Sequence, residues 1–266
     1  MSEPRSESSS ESPAESVSES VAEPVRTAVV TGAGRGFGRA IATALVAAGT
    51  TVVGIARAAE QLHAVRVELG ERFIPLVADA TDETVAQDAI RTHRPDLLVL
   101  NAGAVPHMAP IHEQTWDTFS RNWNVDTRHV FAWTRAALRA PLAPGAVVLS
   151  MSSGAALNGS PMSGGYASAK AAVRYLRGYA EEESDRAGLG IRFVTVLPQL
   201  TPATRLGSVG VTGYAARNGV DADTIVEGLQ PILTPELLAK TVVALAADPA
   251  SAAEYRISGA GLRAID

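Results

Sequence analysis

Thr27-Ala-Val-Val-Thr31-Gly-Ala-Gly-Arg-Gly-Phe-Gly38 is the stretch on which the fold is decided. Thr27 to Val30 is a short β-branched run, and after the glycines Ile41, Leu45 and Ala48 return at helical spacing, so the segment reads as strand, glycine turn, helix. The glycines stand at 32, 34, 36 and 38, which breaks the G-x-G-x-x-G spacing and fits Thr-Gly-x-x-x-Gly-x-Gly instead. The physics is the same in both. Residues without a Cβ let the backbone approach a pyrophosphate, which then sits at the positive end of the following helix. Gly32, Gly36 and Gly38 are therefore candidate cofactor contacts.

Outward from this turn, short apolar runs alternate with helical patterns. Strands are expected at 51–55, 73–77, 97–100, 146–149, 191–197 and 255–258. Helices are expected at 59–69, from Thr115 towards Arg139, from Tyr166 to Asp185, and after Thr234-Pro235-Glu236, where a cap precedes a proline in the first turn. Leu97 to Leu100 is apolar throughout, as a central parallel strand requires. The pattern specifies an α/β, doubly wound (Rossmann-type) fold: a mostly parallel sheet with helices on both faces. At the end of the second strand, where folds selective for NAD place an acid, the residue is Ala56, followed by Arg57.

A second stretch carries the chemistry. Leu149-Ser-Met-Ser-Ser153-Gly ends an apolar strand, and after a loop comes Tyr166-Ala-Ser-Ala-Lys170. Tyr166 and Lys170, four apart on a helix, share a face. An ammonium beside a phenol favours the phenolate, which suits acid/base work on an alcohol or ketone oxygen. Ser153 is placed to donate to that oxygen as negative charge builds on it.

Taken in order, Thr31 to Gly38, Asn101-Ala-Gly103, Ser153 and Tyr166 with Lys170 make residues 26–266 resemble the short-chain dehydrogenase/reductase family. The resemblance implies an NADP(H)-dependent oxidoreductase that moves a hydride between nicotinamide and a carbonyl or secondary alcohol. Tyr166 would be general acid/base and Ser153 the oxygen's donor. Lys170 would serve both the phenol and the nicotinamide ribose, and Asn124, in mid-helix, would order a relay water. Arg35 and Arg57 occupy positions that commonly hold a 2′-phosphate, and Asp79 matches an acid beside the adenine. Phe37, Ala80, Asn101, Ala102, Gly103, Pro198 and Thr201 complete the implied cofactor contacts. Gln199 replaces the glycine usual after that proline, and residues 201–233 would form a lid. The resemblance also implies a homodimer or homotetramer, assembled through the helices bearing Asn124 and Tyr166. Two alternative expectations are an acyl-carrier-linked 3-oxoacyl reductase and a non-catalytic NADP-binding scaffold or sensor.

Composition narrows the classes. The chain has 266 residues, is 46% hydrophobic and carries a formal net charge of −5, which disfavours nucleic acid and anionic membranes as partners. It contains no cysteine, so disulfides, thiolate nucleophiles and cysteine-bound zinc are excluded. The five histidines show no ligand spacing, and no metal is expected; His107 and His112 follow Asn101-Ala-Gly103 and are expected at the surface. No apolar run approaches the roughly 18 residues of a spanning helix, and a cytoplasmic location is expected. Residues 1–25 form a Ser- and Glu-rich tail with prolines, and its glutamates recur every fourth position from Glu3 to Glu23. In a helix they would stack like charges, so the tail is expected to be disordered.

Overall fold

The structure, a computed structural model, describes residues 25–140 and 142–265; all of the acidic tail but Val25 lies outside the described residues. Among the described residues eight strands form one sheet: β1 (Thr27–Thr31), β2 (Thr51–Ala56), β3 (Phe73–Val77), β4 (Leu97–Leu100), β5 (Val147–Met151), β6 (Arg192–Pro198), β7 (Glu254–Ser258) and β8 (Gly261–Ala264). Their order is β3-β2-β1-β4-β5-β6-β7-β8, parallel except for β8, which runs antiparallel to β7. Sequence periodicity did not anticipate β8. It is too short and too exposed to carry an apolar pattern.

The helices are α1 (Gly36–Ala47), α2 (Ala59–Leu69), α3 (Glu83–His93), α4 (Trp116–Asn122), α5 (Arg128–Arg139), α6 (Ala155–Asn158), α7 (Gly164–Arg186), α8 (Arg205–Asn218), α9 (Ala222–Glu227) and α10 (Pro235–Ala247). The long helix expected from Thr115 to Arg139 is interrupted by a π-turn, Trp123–Thr127. Strand alternation distributes the core. Ala28 and Val30 of β1 face a cluster with Ile41, Leu45, Leu238 and Val242, so α1 and α10 cover that side. Val29 faces a second cluster with Ala86, Ile90, Trp133 and Val173, so α3, α5 and α7 cover the other. Each fully buried Leu, Ile or Val contributes about 1.5–3 kcal/mol, enough to dock helices whose own propensity is marginal.

The strand order reverses between β1 and β4, and the crevice at their carboxyl ends is where such folds bind ligands. One hydroxyl organises it. Thr31 Oγ1 accepts from the backbone N–H groups of Asn101 (2.9 Å) and Ala102 (3.1 Å), and donates to Val99 O (3.2 Å). Asn101 Nδ2 returns a bond to Thr31 O at 3.0 Å. Gly38 lets α1 start directly over this knot, since a Cβ there would lie 2.2 Å from Gly32 O. Beneath it, His129 Nε2 of α5 lies 3.0 Å from Thr31 Oγ1 with the ring fully buried.

Burial, reinforced by the positive charge of Lys170, holds the His129 imidazole neutral, its pKa pushed from 6.5 to about 3. Between those two values the unfolded chain binds a proton that the folded chain refuses, so His129 erodes stability as pH falls from 6.5 towards 3. The slope is roughly 1.4 kcal/mol per pH unit. His129→Gln should therefore melt with a shallower dependence on pH across this window than the native chain. Parallel melting curves from pH 6 to 4 would contradict the buried neutral imidazole.

Candidate active site

A cleft of about 940 Å3 opens over the carboxyl ends of the strands, with the glycine turn at one end and Tyr166 at the other. At the glycine end, α1 begins without a side-chain cap and without an acidic residue in its first turn. Its first N–H groups are thus free to meet an anion, and the helix dipole favours negative charge there. Gly32 and Gly36 adopt φ +70° and +54°, the left-handed region that glycine tolerates, so the turn can curl around such a group. Arg35 and Arg57 line this end beside Ala56. Arg57 Nη1 stands 3.8 Å from Asp79 Oδ2, a loose pair with both side chains largely exposed. Asp79 also accepts from the N–H and hydroxyl of Thr81, both at 2.9 Å, and these bonds above all hold its carboxyl below the usual range. Asp79 is therefore both turn former and cleft residue. These residues fit a dinucleotide that carries an additional phosphate on its adenosine ribose.

The structure brings Ser153, Tyr166 and Lys170 together on the cleft wall. Ser152, one residue beyond β5, anchors the strand to α7 by donating to Lys170 O at 2.8 Å, so the carboxyl end of the strand and the first turns of the helix are held as one unit. Tyr166 projects from the first turn of α7, and Lys170 Nζ lies 5.7 Å from the centre of its ring. Lys170 is almost wholly buried: its ammonium donates to Met151 O at 2.9 Å and lies 3.0 Å from Asp126 Oδ1. The expected lowering of the Tyr166 pKa does not prevail. Burial raises it above 10.0; Lys170 and the Ser153 hydroxyl pull it down by less, and Asp126 pushes it further up. The net direction is upward, although the ring is only half-buried against the cleft.

Asn124 does not join this group. It is exposed and lies outside the cleft lining, whereas Asp126, fully buried, faces Lys170 from the π-turn. The phase of the helix explains the difference. An uninterrupted helix from Thr115 would give Asn124 and Asp126 different faces from those they have, because the π-turn inserts extra residues into the register. Asp126, His129, Trp133 and Ala136 follow one another at intervals of three or four and are all buried, a stripe that could have been counted backwards from α5. Sequence reasoning missed Asp126 and His129 for that reason.

The other expected contacts divide. Phe37, Ala80, Asn101, Ala102, Gly103 and Pro198 line the cleft, with the Asn101 amide committed to Thr31. Thr201 also lines it, but its hydroxyl donates to Leu233 O at 2.6 Å and so serves the fold. Gln199 borders the cleft and donates to Leu229 O at 3.2 Å, tying the end of β6 to the segment after α9. His107 and His112 are exposed and stand outside the lining. The region expected to be a lid contains α8, which is fastened to the loop before α7 by a 2.5 Å contact between the hydroxyls of Tyr214 and Ser160. Among the described residues no cluster of His, Asp or Glu could hold a metal, and no helix is long and apolar enough to cross a membrane.

The sequence profile described as short chain dehydrogenase matches residues 26–209. A probable NADP-dependent dehydrogenase of Haemophilus influenzae is 31% identical over 211 residues, 77% of this chain and 81% of the relative. The serine 3-dehydrogenase of Agrobacterium fabrum is 30% identical over the same shares. Among solved structures, a putative NAD(P)-dependent gluconate 5-dehydrogenase from Beutenbergia cavernae, with bound NADP at low occupancy, superposes with a TM-score of 0.76. It is 27% identical and the match covers 90% of this chain and 97% of that one. With more than half its length matched to one profile and with relatives at this identity, the chain belongs to the short-chain dehydrogenase/reductase family.

Proposed function

We propose that the chain is an NADP(H)-dependent oxidoreductase that interconverts a carbonyl compound and a secondary alcohol. The observation that carries this reading is the convergence, in one cleft, of the Tyr166 and Ser153 hydroxyls and the buried Lys170 ammonium opposite an uncapped helix N-terminus. NADP(H) supplies or accepts the hydride. Gly32, Gly36 and the first turn of α1 hold its pyrophosphate, Arg35 and Arg57 its 2′-phosphate, and Lys170 its nicotinamide ribose. The names of the Haemophilus relative and the Beutenbergia structure support that cofactor.

In the reduction direction, Tyr166 gives its hydroxyl proton to the carbonyl oxygen as charge develops there. Ser153 donates a hydrogen bond to the same oxygen, a contribution that exists chiefly in the transition state and therefore accelerates the step. Lys170 holds a positive charge under the phenol and favours the phenolate left behind. Val105, Pro106, Met108, Leu200, Leu206 and Tyr214 also line the cleft. They present uncharged side chains that suit the carbon skeleton of a carbonyl substrate.

A homodimer or homotetramer assembles, in this reading, across α4, α5 and α7. Trp116, Trp123, Phe131, Tyr175 and Tyr179 are large and exposed on these helices and the π-turn between α4 and α5, between 40% and 74%. The Trp123 indole donates to Ser168 Oγ at 2.9 Å, which joins the two helical surfaces into one apolar face of the kind that oligomers cover.

Three outcomes follow from this reading. Tyr166→Phe keeps the ring and removes the proton donor, so kcat for carbonyl reduction should fall by about 10²- to 10⁴-fold while the NADPH dissociation constant stays near native. Retention of more than about a tenth of native kcat on a verified substrate would refute the mechanism. For cofactor choice, Arg57 is 78% exposed on its side chain and screened by salt, so the two arginines should favour NADPH over NADH by about ten- to a hundredfold. Ala56→Asp with Arg57→Ser should reverse the order of the two dissociation constants. Finally, Tyr175→Arg with Tyr179→Arg should reduce the mass in light scattering to that of a single chain, and an unchanged mass would move the interface elsewhere.

A further inference from the structure

Asp126 is a buried charged group of the cleft lining that the mechanism above does not use. Its side chain has no solvent exposure. Oδ2 accepts from the N–H of Ala104 at 2.9 Å and from Asn122 Nδ2 at 3.2 Å. Oδ1 pairs with the Lys170 ammonium, 3.0 Å from Nζ. Room for it is made by Gly103, where a Cβ would lie 2.8 Å from Oδ1. An amide oxygen in place of Oδ2 could accept both of those bonds equally well. What the carboxylate adds is charge. Buried ion pairs are rarely more stable than apolar packing of the same volume, so fold stability alone does not account for one here.

The charged and titratable groups around Tyr166 come from four elements. Lys170 lies on its own helix, Asp126 on the π-turn and Ser153 after β5, while His129 of α5, whose pKa the Lys170 charge helps to lower, is neutral above about pH 3. Lys170 and Asp126 therefore cancel to a net charge near zero beneath the phenol. We propose that Asp126 is a positioning residue that neutralises Lys170 and so keeps Tyr166 protonated, setting the site to deliver a proton, and hence to work as a reductase, at a higher pH than Lys170 alone would allow. The proposal rests on the reading of Tyr166 as the acid. Reduction takes one proton from the Tyr166 hydroxyl and one hydride from NADPH, and yields the alcohol and NADP+. In agreement with the geometry, the Asp126 charge raises the phenol's pKa and that of Lys170.

The test is the pH profile of carbonyl reduction at saturating NADPH for the native chain, Asp126→Asn and Asp126→Glu. The amide keeps the size and the accepting oxygen but removes the charge. Its alkaline limb, where the protonated phenol is lost, should move to lower pH by about one unit. Asp126→Glu retains the charge and should keep the native limb, even at a lower kcat. In the reverse direction, the acid limb of alcohol oxidation should move down by the same amount in Asp126→Asn. An alkaline limb that stays in place while kcat falls would mean that Asp126 only holds the backbone of the loop after β4, and would overturn the proposal. Should Asp126→Asn fail to fold, a limb displaced in Asp126→Glu overturns it and an unmoved limb supports it. A native profile without an alkaline limb, or an active Tyr166→Phe, strikes the reading of Tyr166 and takes the proposal with it; a native limb that Asp126→Asn leaves unmoved strikes the proposal alone.

Discussion

The hydroxyl of Thr31 is the point on which the cleft depends. Parallel strands end with carbonyl and N–H groups that have no further ladder to join, and between β1 and β4 the chain departs in opposite directions. Those groups would be left unpaired in the interior at a cost of about 1–3 kcal/mol each. Thr31 gathers them: two N–H groups of the segment after β4, the Val99 carbonyl and the His129 ring all lie within 3.2 Å of its oxygen. The crevice is therefore a rigid feature of the sheet. It places the start of α1 and the Asn101-Ala-Gly103 segment at fixed positions relative to each other.

The electrostatics of the opposite wall follow from burial. Lys170 is taken out of water, and a lone ammonium there would be costly. The Met151 carbonyl and Asp126 compensate it, and Lys170 is held charged, above its ordinary pKa, because Asp126 and Tyr166 outweigh the effect of desolvation. The same compensation limits what Lys170 can do to Tyr166. A single positive charge beside a phenol is a simple picture, but the phenol responds to the sum of the charges around it and to its own desolvation. Here the sum favours the neutral ring.

Local irregularity does the placing. The π-turn between α4 and α5 widens one turn of helix and swings Asp126 inward. Gly103 leaves space for the carboxylate, and the N–H of Ala104 bonds it. Three separate stretches, the loop after β4, the π-turn and the second turn of α7, thus meet at one buried carboxylate. Asn124 was misplaced from sequence because a count at 3.6 residues per turn carries no information about where a helix widens.

What the sequence determined by itself is what depends on period and local chemistry. Alternation and helical spacing set seven of the eight strands described and the helices α1, α2 and α7 to within a residue or two, because each buries one face against a layer whose period is fixed, and cap chemistry set the start of α10. The glycine turn, the missing acid at Ala56, and the Tyr166 and Lys170 pair were legible because each is a short pattern whose geometry follows from one element. The tertiary structure decided what depends on sums over distant groups. The protonation of Tyr166 depends on burial and on a carboxylate 40 residues away in the chain, the hydroxyl of Thr201 was drawn to Leu233, and the neutrality of His129 comes from the layers packed over it. Electric fields and desolvation act through space, so no spacing along the chain records them.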